Sequence, residues 1–199
     1  MAKIVTGDYN LDLEYPLLDN MSDEEFFNFC AQNKNVKIER DENHQILIMA
    51  PAGNDSSAKN TQINFELELW NRKTKLGIVF DSSAGFYLPD TSMRSPDAAW
   101  ISNNKWKTIS QKEKKKFGYI TPDFIIELMS PSDRLNQAKS KMDKWIKNGV
   151  RLAWLIAPEN EITWIYKADG TIKKINGFDK KLSGEKVLKG FEFDLSVLK

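Results

Sequence analysis

Glu127 interrupts an otherwise apolar run made of Phe124, Ile125, Ile126, Leu128 and Met129, the pattern of a strand buried on both faces. A carboxylate inside such a strand is costly unless it is paired, protonated or bound to a metal, so Glu127 requires a partner. Asp97 follows Ser95 and Pro96 at the start of another apolar stretch. If the two strands are neighbours, both carboxylates converge at one end of a sheet, and hard cations such as magnesium favour that oxygen-rich arrangement. A plainer arrangement fits the same residues, with Glu127 paired to a lysine or arginine and Asp97 capping a turn. Asp123, in the Pro122–Asp123 pair, stands before its strand, where a turn or cap role is expected.

Nucleophilic catalysis with a histidine base would have to pass through His44, the only histidine, which sits in a turn between two short strands. Cys30, the only cysteine, lies on the apolar side of a short helix and reads as a small buried hydrophobe. One cysteine excludes an internal disulfide framework and a multi-cysteine zinc site, and a reducing cytoplasm is the expected compartment.

The elements that must position Asp97 and Glu127 follow from spacing. Ser22 and Glu25 have capping-box spacing ahead of Phe26, Phe27, Phe29 and Cys30, which predicts a lead-in helix. Lys37 to Asp41 and Gln45 to Ala50 predict a hairpin around DENH. Ile63, Leu67, Trp70 and Thr74 recur at helical spacing and predict an amphipathic helix from about Ser57 to Lys75. Ile78 to Phe80, Phe86 to Leu88 and Asp97 to Ile101 read as consecutive strands with Pro89 and Pro96 at their ends. Residues 103 to 118 read as an exposed loop and short helix.

After the strand that carries Glu127, Leu135, Ala138, Met142 and Trp145 form the inward stripe of a helix that Gly149 stops. Leu152 to Ala157, Ile162 to Tyr166 and Thr171 to Ile175 read as further strands, followed by a loop-rich tail containing Val187, Leu188, Phe191, Phe193 and Leu195. Short links within residues 77 to 101 suggest antiparallel pairing, and strand, helix, strand over residues 122 to 157 suggests a parallel crossover. The fold class is therefore α+β (α/β), a mixed sheet flanked by helices. At 199 residues one domain is expected, with a lead-in over 1–35, a core over 36–167 and C-terminal strands and tail over 168–199.

Composition bounds the partners. Hydrophobic residues make up 41% and charged residues 29%, which suits a chain that folds by itself. The 29 lysines and arginines nearly balance 28 aspartates and glutamates, so any nucleic-acid contact must come from a local patch. Lys112, Lys114, Lys115 and Lys116, and again Lys173, Lys174, Lys180 and Lys181, fit either phosphate contact or a solvated surface. Residues 1–18 lack the pattern of a secretory signal, and no stretch approaches the ~18 uncharged apolar residues of a membrane span.

SPDAAWIS, PDFIIELMSPSD, a lysine-bearing helix ending NGV, and the strand RLAWLIAP together resemble the Uma-two family of endonucleases, a branch of the PD-(D/E)XK superfamily. The resemblance runs from about Met21 to Leu195. It implies a restriction-endonuclease-like fold with metal ligands at Asp97 and Glu127, and with Asp55, just before the first long helix, at a position usually held by glutamate. The superfamily lysine two residues after the glutamate is replaced here by Met129. Counting back from Gly149 places Lys141 where the Uma-two pattern has its lysine, with Lys139 as the competitor nearer the centre of the apolar stripe. Ala157 stands where the family strand commonly ends in aspartate.

The resemblance thus implies a magnesium- or manganese-dependent endonuclease acting on nucleic acid, with DNA the expected substrate and Asp97, Glu127, Lys141 and Asp55 as its catalytic set. It further implies a homodimer, since such nucleases often cut both strands of a duplex. The alternative is a catalytically silent module of the same fold that binds nucleic acid or protein as a dimer.

Overall fold

The structure, a computed structural model, describes residues 4–6, 9–11, 21–34 and 36–199. Most of residues 1–18, on which the absence of a secretory signal is read, and part of the lead-in over 1–35 lie outside them. In chain order the elements begin with β1 (Ile4–Thr6), β2 (Tyr9–Leu11), α1 (Asp23–Gln32), β3 (Lys37–Arg40) and β4 (Ile46–Met49). They continue with α2 (Asn54–Thr74), β5 (Gly77–Asp81), β6 (Phe86–Tyr87), β7 (Met93–Arg94), β8 (Ala98–Ser102), α3 (Asn103–Trp106) and β9 (Phe124–Leu128). The last are α4 (Leu135–Lys147), β10 (Leu152–Ala157), β11 (Ile162–Lys167), β12 (Ile172–Asn176), β13 (Lys181–Ser183) and β14 (Glu192–Asp194).

These elements form two compact units. The first comprises Met1–Pro51, Ser83–Ser95 and Ile109–Ile120, and the second Ala52–Ser82, Pro96–Thr108 and Thr121–Lys199.

In the first unit the expected capping box forms: Glu25 N–H donates to Ser22 Oγ, and Ser22 N–H donates to the Glu25 carboxylate. The expected hairpin is β3 paired antiparallel with β4, inside a sheet ordered β2-β1-β4-β3-β7-β6. Phe26, Ile38, Ile46, Tyr87 and Met93 make its core. Buried charges are paired there: Arg94 contacts Glu39 at 3.2 Å and Glu42 at 3.3 Å, and Glu39 also accepts from Ser95 N–H. The expectation that Phe86 to Leu88 joins the strands on either side is corrected. Leu88 N–H bonds Ser92 C=O and Thr91 takes a positive φ of 71°, a tight reversal that pairs β6 with β7 in the first unit's own sheet.

The second unit holds a mixed sheet ordered β12-β11-β10-β9-β8-β5. β5 pairs antiparallel with β8, and β9 and β10 run parallel through the α4 crossover, as their spacing predicts, while β8 also pairs antiparallel with β9. Gly77 is required where β5 meets β8, because a Cβ there would lie 2.2 Å from Ile101 O and 2.5 Å from the Trp100 ring. α2 starts at Asn54 rather than about Ser57, so Asp55 lies inside its first turn rather than before it. All five residues of β9 are buried. The tail is more than loop: Leu182, Leu188, Phe191, Phe193, Leu195 and Leu198 join Trp70, Trp100 and Trp154 in one core, with Phe191 stacked on Trp154 at 5.8 Å.

Candidate active site

β8 and β9 bring Asp97 and Glu127 together. The last pair of their ladder is Ala98 opposite Ile126; Asp97 precedes Ala98 and Glu127 follows Ile126, so the two carboxylates flank the same ladder end. Asp97 N–H donates to Ile126 C=O at 3.1 Å, and Leu128 N–H donates to Asp97 Oδ2 at 2.8 Å. The backbone on both sides of Glu127 therefore holds Asp97. From α2, Asn64 donates its Nδ2 hydrogens to the carbonyls of Asp97 at 3.1 Å and Asn60 at 3.0 Å.

Glu127 points towards α4. Its side chain is 12% exposed, and its Oε1 lies 2.9 Å from Lys141 Nζ and accepts from Trp145 Nε1–H at 2.8 Å. Lys141 and Trp145 are one helical turn apart, which puts both over the same oxygen. Lys139 is elsewhere: two residues from Lys141 is about 200° around the helix, and Lys139 Nζ lies over the Trp164 ring at 4.9 Å from its centroid. Met129, two residues after Glu127, continues the strand pairing by donating its N–H to Ile156 C=O.

Asp55 is not gathered with the other two acids. Its side chain is 71% exposed and ion-paired with Lys59 Nζ at 2.6 Å on its own helix. Among the described residues no position collects three histidine, cysteine, aspartate or glutamate side chains. A cation here would draw on two carboxylates, and magnesium is commonly held by one or two, with water and substrate phosphate completing its shell. The buried Oδ1 atoms of Asn60 and Asn64 have no hydrogen-bond partner, which adds two unsatisfied oxygen acceptors on the helix that touches Asp97. The donor set is all oxygen and fits a hard divalent ion.

Against the expectation of a turn or cap, the side chain of Asp123 instead ties neighbouring segments together. It is buried at the other end of β9, accepts from Ser102 N–H at 2.8 Å, and lies 3.7 Å from both Lys105 and Arg151. His44 sits in the hairpin turn with φ 63°. Burial pushes the Cys30 thiol up to about 11, which suits an inert packed side chain rather than a nucleophile.

Sequence reasoning missed Trp145 and Asn64 as parts of the site. Trp145 is 1% exposed and reads as core by periodicity; the only available signal was that a buried indole N–H needs an acceptor and Glu127 needs a donor. Asn64 gave a fainter one, a polar residue beside Ile63 on the face of α2 that packs.

A search of curated proteins finds no match to the chain. Among solved structures, a "putative nuclease belonging to DUF820" from Anabaena variabilis superposes with a TM-score of 0.72 at 16% identity, covering 90% of this chain and 97% of that one. At that identity the likeness establishes the fold. The family model of Uma2, described as "Putative restriction endonuclease", matches residues 23–197, and on a match of that extent the chain belongs to the Uma2 family.

Proposed function

We propose that this protein is a divalent-metal-dependent endonuclease that hydrolyses phosphodiester bonds in DNA. The observation that carries the reading is the placement of Asp97 and Glu127 at one ladder end with Lys141 Nζ 2.9 Å from Glu127 Oε1. Asp97 and Glu127 would hold magnesium or manganese, and such an ion supplies positive charge to the phosphodiester and its attacking water. Lys141 offsets negative charge that builds on the phosphate oxygens. Trp145 Nε1–H and Leu128 N–H fix the orientation of the two carboxylates, so that little reorganisation is needed when substrate arrives. Asp55 is the weakest member of the set, because it contributes only when its ion pair with Lys59 opens. Two copies of the chain would serve cleavage of both strands of a duplex, and sedimentation of the protein with and without duplex DNA tests that assembly.

The direct test is cleavage of plasmid and single-stranded DNA with magnesium and then manganese, comparing wild type with Asp97→Ala and Glu127→Ala. Nicking by wild type that falls by about 100-fold or more in both variants is expected, given the size of single electrostatic contributions to such steps. Unchanged cleavage in both variants removes the site assignment. The Asp55–Lys59 pair and Met129 favour a second reading, a silent module that binds nucleic acid or protein, and that reading gains if neither metal supports cleavage.

A further inference from the structure

The strand registers align Glu127 with Leu155, Leu155 with Trp164, and Trp164 with Lys174. Residues opposed in a ladder project from the same face, so these four form one row across the sheet. At about 4.8 Å per strand, Trp164 is about 10 Å from Glu127 and Lys174 about 14 Å. Lys141 and Lys139 lie on opposite flanks of α4, one ammonium placed on Glu127 and the other over Trp164.

Of the basic residues on β12, Lys174 shares the row of Glu127, while Lys173, opposite Ile165, projects from the other face. Lys116 is paired with Glu24, Lys180 donates to Asn176 C=O, and Lys181 lies 3.9 Å from Glu192. Among the described residues neither Lys139 nor Lys174 has an ion pair or hydrogen bond. The nearest acid along the helix, Asp143, is a turn further on and acts on Tyr166. A lysine that merely solvates a surface keeps its head in water, whereas the head of Lys139 rests on a ring that is only 7% exposed. Lys174 stands opposite Trp164 in the ladder and so projects from the face on which Lys139 lies, and an anion bound on that face would meet two cations.

We propose that Lys139 and Lys174 hold a phosphate of the nucleic-acid strand on one side of the bond that is cut, with Trp164 fixing Lys139. The assignment rests on the nuclease reading and extends it to the path of the strand on the α4 and β12 side of Glu127.

The test is binding of a fluorescently labelled single-stranded oligonucleotide in EDTA, followed by anisotropy over a range of salt. Wild type, Lys139→Gln/Lys174→Gln and an exposed-lysine control, Lys186→Gln, are compared. The double variant should bind about tenfold more weakly, with a salt slope smaller by about 0.7 for the lost phosphate, and in the cleavage assay KM should rise while kcat holds. The control should match wild type in all three. Lys174→Glu, on an edge strand, keeps the test open should the double variant fold poorly, and it should weaken binding at least as much. Equal affinity and equal slope in the double variant and wild type overturn the proposal; if wild type still cleaves DNA and loses that activity in Asp97→Ala, the nuclease reading stands without it. A wild type that binds no oligonucleotide and cleaves none removes both.

Discussion

Trp145 donates its indole hydrogen to Oε1 of Glu127 at 2.8 Å, the same oxygen that Lys141 approaches at 2.9 Å. A side chain that closes the core under α4 is thereby also the group that holds an acid of the candidate site in place. Core packing and carboxylate geometry are coupled in one residue.

Trp145→Phe removes that donor while keeping much of the ring. Loss of a hydrogen bond to a charged, largely buried acceptor should cost about 2 kcal/mol, read as a lower urea midpoint with an unchanged m-value. The combined variant Trp145→Phe/Glu127→Gln should be destabilised by less than the sum of the two single changes, since both act on one contact.

Metal binding should register as stability. Ligand at a hundred times its dissociation constant stabilises a fold by about 2.7 kcal/mol, so magnesium or manganese should raise the wild-type Tm by several degrees. Asp97→Asn and Glu127→Gln should each abolish most of that rise. No rise in wild type would favour the silent module.

Lys141 and Lys139 should separate kinetically. Lys141→Gln should lower kcat by about 100-fold or more, because its ammonium sits at Glu127 where charge develops. Lys139→Gln should leave kcat near the wild-type value. A larger loss of kcat in the Lys139 variant would reverse the assignment.

Cys30 should be slow to alkylate. Its thiol, raised by burial to about 11, stays protonated at pH 8, so iodoacetamide should label it quickly only after unfolding. The linkage has a definite sign: this contribution to stability is complete below the thiol's unfolded value of about 8.5 and is lost as pH rises from there through 11. Urea midpoints measured across that interval should fall for wild type more than for Cys30→Ala.

Much of the second unit was legible because its residues obey short-range rules. The apolar run around Glu127 marked a buried strand, and the stripe through Met142 and Trp145 marked α4. The Asp97–Glu127 convergence was legible only as a condition, since sequence spacing does not reveal which strands are neighbours. Met93 and Arg94 form too short a strand for alternation to show, and Arg94 is buried only because Glu39 and Glu42 meet it from distant positions. The tail residues Phe191, Phe193 and Leu195 have no helical or strand period long enough to announce their burial. Trp145 carried the same signal as any core tryptophan.

The chain visits its two units alternately, as Met1–Pro51, Ala52–Ser82, Ser83–Ser95, Pro96–Thr108, Ile109–Ile120 and Thr121–Lys199. No single cut can therefore release either unit as an uninterrupted fragment. A shortened version that keeps Asp97 and Glu127 must also keep Ile109–Ile120, a segment that lies between them and belongs to the other unit. For anyone dissecting or grafting this protein, the smallest transferable piece holding both carboxylates on one chain already contains parts of both units.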